Sequence, residues 1–207
     1  MQQKAKNLLA VIAGLALLIA PGMAFASSTP SLTQTINAGT LTTNIYQAGD
    51  TTPVASPTVA FTGQNYGFSC VTSTATLGDA NNLVNVTNLA SGINTWTLSI
   101  AANTANWTNG TNTYSYNGSG CTGGQLTVNP TAATITDDCN SNCGNTNVTL
   151  GPSTSFTSTT SSATLMSDST GTAWEGYLTG ISLSQTIPAL QQPGSYTLGM
   201  TITVTNT

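Results

Sequence analysis

The sequence predicts an all-β fold, a single-domain two-sheet antiparallel sandwich. Three observations carry this. Short runs of alternating apolar and polar residues recur along most of the chain, and that alternation is the signature of half-buried strands. Asn-, Gly- and Ser-rich turns separate the runs. No stretch beyond the first 26 residues combines helix formers at a 3.6-residue period.

The amino-terminal stretch reads differently. Lys4 and Lys6 form a positive start, Leu8–Ala20 is an apolar run, and Pro21-Gly22 breaks it. Ala24-Phe25-Ala26 is a small-x-small cleavage site, so residues 1–26 are expected to be a secretory signal peptide cut after Ala26. The run is short for a bilayer span, which takes about 20 apolar residues. Residues 27–31, with Pro30, are small and polar and read as a flexible tail. The sandwich is expected over residues 32–207.

The strands follow in order. Leu32–Ile36, Leu41–Tyr46, Thr58–Phe61, Ala75–Leu77 and Leu83–Thr87 lead up to Trp96–Ala101. Residues 102–124 form a long polar stretch holding Trp107, Tyr114 and Tyr116, expected as an elaborated loop or hairpin. Gln125–Val128, Ala133–Thr136, Ala163–Met166, Glu175–Thr179 and Ser182–Thr186 come next. In the last run Tyr196, Leu198, Met200, Ile202 and Val204 share one face, and Thr197, Gly199, Thr201, Thr203 and Thr205 the other. Many short strands at this spacing predict a Greek-key or immunoglobulin-like sandwich.

Charge narrows the function. The two basic residues are Lys4 and Lys6, and there is no His. Residues 27–207 therefore contain no cationic side chain against six carboxylates: Asp50, Asp79, Asp137, Asp138, Asp168 and Glu175. Binding of nucleic-acid phosphates is not expected, and neither is electrostatic attachment to anionic lipid. Ser-His and Cys-His nucleophile pairs and lysine Schiff bases cannot be assembled. Two carboxylates facing one cleft would be needed for glycoside hydrolysis, and Asp137-Asp138 are sequence neighbours that diverge in a strand. The chain is read as a non-enzyme without cofactors. Asp137, Asp138 and Asn140 form a weak calcium candidate from oxygen ligands, against the plainer reading of a solvated acidic turn.

Cys70, Cys121, Cys139 and Cys143 make an even set, which in an exported chain favours disulfides over a zinc site. Four cysteines allow three pairings. A local Cys139–Cys143 bond in turn-forming residues would leave Cys70–Cys121, with the other pairings, Cys70–Cys143 among them, still open.

Trp96-Thr97-Leu98 belongs to a larger pattern. Leu83-Val84-Asn85-Val86-Thr87 precedes Gly92-Ile93-Asn94-Thr95-Trp96-Thr97-Leu98-Ser99-Ile100, and Ser182–Pro188 precedes Gly194–Leu198. In this set the chain resembles the WxL-domain family of bacterial cell-surface proteins, with Ile202-Thr203-Val204 where that family carries a second W-x-L. The resemblance implies a β-sandwich held non-covalently at the cell wall, on a secreted protein at the bacterial surface. Its partners would be a cell-wall polymer or other surface proteins.

Trp96 on an alternating strand reads first as core, and as a glycan platform only if its indole is exposed. Trp107, in the polar loop, is the better-placed glycan contact on expected exposure. Trp174 reads as core or sheet edge. No sorting motif or lipobox cysteine is visible, so attachment through the folded surface is expected. The alternative function is a self-assembling filament or layer subunit, a homo-polymer in which Ser27–Ile36 adds as a strand to a neighbour's edge.

Overall fold

A computed structural model describes residues 34, 39–49, 52–89, 95–138 and 147–207. Asn37–Thr207 form one compact unit. The expected signal peptide, the tail at 27–31, the Cys139–Cys143 bond and Asn140 fall outside the described residues, as does the strand at Leu32–Ile36 apart from Gln34.

The unit is all-β and antiparallel. Its strands are β1 (Leu41–Tyr46), β2 (Val71–Leu77), β3 (Leu83–Asn88), β4 (Trp96–Ala102), β5 (Trp107–Thr108), β6 (Thr113–Tyr114) and β7 (Gln125–Asn129). After these come β8 (Thr134–Asp137), β9 (Val148–Leu150), β10 (Thr154–Ser155), β11 (Ser162–Asp168), β12 (Trp174–Thr179), β13 (Ile181–Ile187) and β14 (Met200–Asn206). A single helical turn, α1 (Gly120–Gly123), precedes β7.

The ladders form three four-stranded sheets, β1-β3-β12-β8, β10-β7-β13-β2 and β14-β4-β11-β9, with β5-β6 as a separate ribbon. Two sheets were expected. The difference has a local cause. β12 and β13 are separated by Gly180 alone, which takes φ 79°. β12 pairs with β3 and β8, while β13 pairs with β2 and β7. Three strand lines thus run through both of the first two sheets, bending together where they cross. The Gly180 N–H donates to the Gly78 carbonyl at 2.9 Å and stitches the bend. Gly78 has φ 87°, and a Cβ there would lie 2.7 Å from the Leu178 carbonyl oxygen, so no side chain fits.

The parity of the buried residues switches at this corner. Trp174 and Leu178 are buried on one side of Gly180, and Ile181 and Leu183 on the other. The neighbouring line behaves alike, with Leu77 before the corner and Val84 and Val86 after it. An extra residue at the bend shifts the alternation by one, so even-numbered side chains face the core before Gly180 and odd-numbered ones after it.

The third sheet packs over this bent layer. Trp96 of β4 stacks on Trp174 of β12 with ring centroids 5.7 Å apart. Leu98 and Ile100 of β4 join Val84, Val86, Val128 and Leu178 in one core. In β11 the register shifts between Thr164 and Met166, and Leu165 and Met166 are both buried. A bulge of this kind puts successive side chains on the same face. Thr58–Phe61, expected as a strand, runs outside the ladders. The segment just after it is tied to β2 through Thr62 N–H to the Thr74 carbonyl, 2.9 Å.

Candidate functional site

Among the described residues, three of the four large apolar side chains that stand exposed gather in one place. Tyr66 (54% exposed) and Phe68 (87%) lie in the segment before β2, and Leu190 (47%) in the segment after β13. The Leu190 N–H donates to the Gly67 carbonyl at 2.9 Å, which brings the two segments together. Leu190 has φ 59°, a left-handed conformation that costs a non-glycine residue on the order of 1–3 kcal/mol. The Cys70–Cys121 disulfide ties the segment bearing Tyr66 and Phe68 to α1, with Cα atoms 5.4 Å apart.

Beside this lip runs a groove of about 450 Å³. Its floor is a chain of rings. Phe61 meets Trp107 edge-on at 5.4 Å, Trp107 stacks on Tyr114 at 5.9 Å, and Tyr114 meets Tyr196 at 5.1 Å. Amides line the rest, including Gln64, Asn65, Gln191 and Gln192, and no lining residue carries a charge. The Gln191 side-chain amide donates to the Tyr196 hydroxyl at 2.7 Å, and that hydroxyl donates to the Gln192 carbonyl at 2.8 Å. Burial, with the neighbouring Tyr196 adding to it, pushes the Tyr114 phenol up to about 12. Tyr114 is therefore a neutral donor and ring surface at any ordinary pH. Aromatic faces with converging amides suit a neutral ligand rich in hydroxyl groups.

Trp107 corrects an expectation. Sequence placed it exposed in a polar loop, whereas it is buried at 9% exposure. The β5–β6 hairpin folds it under Tyr114, and its indole N–H donates to Gln185 Oε1 at 2.8 Å. Gln185, itself 1% exposed, spends its amide N–H groups on the Thr186 carbonyl at 2.8 Å and the Ser115 carbonyl at 3.3 Å. Trp107 supports the groove from below and offers no open face.

The W-x-L tripeptide lies in β4. Trp96 and Leu98 are fully buried and Thr97 is half-buried, so the indole of Trp96 is a core ring and no platform. Trp174 is likewise core, and its indole N–H donates to Asp137 Oδ1 at 2.7 Å. Asp137 closes β8, and Asp138 follows with its N–H on the Glu175 carbonyl at 2.9 Å. The described residues contain no cluster of three or more His, Cys, Asp or Glu side chains placed to hold a metal ion. Compared with protein-family models, with curated proteins and with solved structures, the chain matches none.

The groove was missed in the sequence because its parts come from three separated segments. One signal was present. Tyr66-Gly67-Phe68 puts two aromatic rings in a turn without alternation, next to a cysteine. Rings there have no strand face to hide on.

Proposed function

We propose that the chain is an exported, non-enzymatic protein of the bacterial cell surface, structural or adhesive in role and held without covalent attachment. Its contact is the neutral aromatic groove, and its partner a hydroxyl-rich polymer of the cell wall. The observation that carries this reading is the convergence of exposed Tyr66, Phe68 and Leu190 beside a charge-free groove backed by a chain of packed rings. The resemblance to WxL-domain proteins supports the same partner class. The absence of Lys, Arg and His from residues 27–207 supports a role in binding over catalysis.

The test is cosedimentation with isolated cell walls. The Y66A and F68A variants remove exposed rings and leave the core intact. Each is expected to weaken wall binding about tenfold, equivalent to about 1.4 kcal/mol, with an unchanged melting temperature. Undiminished binding by both variants would remove the groove from the reading. A native protein that stays in the supernatant would end the wall-attachment reading itself.

A further inference from the structure

A second groove lies beside the aromatic one and differs from it in chemistry. It measures about 560 Å³ and runs between β1, an edge of the first sheet, and β14, an edge of the third. Consecutive residues of both strands line it, Thr43, Asn44 and Ile45 on one side and Met200, Thr201 and Ile202 on the other. Among the described residues no backbone bond joins the two strands, so the groove is a seam between sheet edges. It reaches the core, where Leu77, Ile100 and Leu183 line it at 4%, 4% and 7% exposure. Met200 and Ile202 are only half-buried and keep apolar surface against water.

The two grooves adjoin. Val59, Phe61, Trp107 and Tyr196 line both. Away from these shared residues the chemistry diverges. The aromatic groove offers the amides of Gln64, Asn65, Gln191 and Gln192, whereas the seam offers aliphatic side chains from β1, the core and β14. Neither has a charged lining residue. Each volume falls within the range of about 300–1,000 Å³ that ligand clefts occupy. Amides and ring faces suit hydroxyl groups and sugar rings. A wall of Ile, Leu and Met gains only by shedding water against another apolar surface. A ligand that fills both grooves is therefore an amphiphile.

Resting on the reading of the aromatic groove as a seat for hydroxyl-rich ligands, we propose that the adjoining grooves hold one neutral glycolipid, its sugar in the aromatic groove and its alkyl chain in the seam between β1 and β14. Charge narrows the class. Residues 27–207 contain no Lys, Arg or His, so a fatty-acid carboxylate or a phospholipid phosphate would find no cation to meet it. An uncharged headgroup carries no such penalty. An alkyl chain needs no hydrogen bonds, and Leu77, Ile100 and Leu183 supply none. Seated there, it covers the half-buried Met200 and Ile202.

Isothermal titration calorimetry of the purified protein with alkyl maltosides, each below its micellar concentration, tests the assignment. Decyl maltoside should bind at one molecule per chain. It should bind more tightly than octyl maltoside by about fourfold for each methylene the seam buries, and at least about tenfold more tightly than maltose. M200E sets a charge in the seam and should bring decyl maltoside down to the affinity of maltose. The chain-length series needs only the native protein, so it decides the matter even where M200E fails to fold. Equal affinities for maltose, octyl maltoside and decyl maltoside would overturn the proposal. So would decanol or decanoate binding as tightly as decyl maltoside, or uptake only above the micellar concentration. Cosedimentation with cell walls, run in parallel, keeps the two readings apart. Wall binding without a chain-length trend removes the glycolipid alone, and a chain-length trend without wall binding supports the glycolipid and removes the wall polymer.

Discussion

Replacing Cys70 and Cys121 by serine tests how the lip of the aromatic groove is held. The bond joins residues 51 positions apart in sequence. Removing it frees the unfolded chain to open a loop of that length. Loop-closure entropy of about 2.1 plus 1.5R ln n, with n near 51, gives roughly 14 cal/mol/K, or about 4 kcal/mol at 25 °C. For a chain of this size that lowers the melting temperature by about 8–16 °C. The assay is urea unfolding of the double variant beside the native protein, both oxidised, so that any bond between Cys139 and Cys143 is common to the two. The midpoint should fall and the slope steepen, because the uncrosslinked unfolded chain exposes more surface. A stability loss below about 1 kcal/mol would refute the reasoning. It would mean that the unfolded chain already keeps these segments together without the bond.

Two further perturbations probe the groove floor. Trp107→Phe keeps a ring between Phe61 and Tyr114 but deletes the donor to Gln185 Oε1, leaving a buried acceptor unpaired. Urea unfolding should register a loss of about 1–3 kcal/mol, and an unchanged midpoint would show that water replaces the indole. The second concerns pH. Tyr114 titrates near 10 when unfolded and is held up to about 12 in the folded protein, so burial favours its neutral form. That contribution is complete below pH 10 and is lost as pH rises from 10 to 12. Phenolate absorbance should include a late step from Tyr114, Tyr114→Phe should delete that step, and a native titration without it would contradict the burial.

Where alternation persists, the sequence was legible. Leu41–Tyr46 was read with the boundaries it has, and the faces of the last strand were assigned correctly from Met200 to Val204. β9 and β10 were invisible because two or three residues carry no period. The corner was hidden for another reason. Reading Glu175–Thr179 and Ser182–Thr186 as two strands was right, but the switch of buried parity across Gly180 is the mark of one line changing sheets, and each run alone looks ordinary. The candidate groove was harder. Trp107 sits among Asn and Thr, which suggested solvent. Those polar groups are satisfied locally, Asn109 Oδ1 taking the N–H groups of Thr111 at 3.0 Å and Asn112 at 2.7 Å, and this leaves the indole free to turn inward. Composition reports the average exposure of a loop and cannot report which side chain points in.

A sheet protein with almost no charge must fix strand register by other means. Apolar alternation excludes one-residue slips, since these would turn the core face to water, but it is indifferent to slips of two. Side-chain hydrogen bonds between strands supply the missing distinction. Thr127 and Ser155 hydroxyls meet at 2.8 Å across β7 and β10, and the Asn103 amide reaches the Thr201 hydroxyl at 3.1 Å. Thr95 and Thr207 meet at 3.0 Å where the ladder of β4 and β14 ends. A two-residue slip of β14 that set Gly199 against the Asn103 amide would lose that contact, because glycine offers no hydroxyl. The buried amides add a second check, because Asn85 Nδ2 reaches the Gly176 carbonyl at 3.0 Å through a position where any side chain would strike the Trp174 ring and the Thr136 carbonyl. Such contacts lock the pairings inside the molecule. They act only at hydrogen-bond length, so register in this nearly uncharged fold is held strand by strand and not by charge pairing across a sheet.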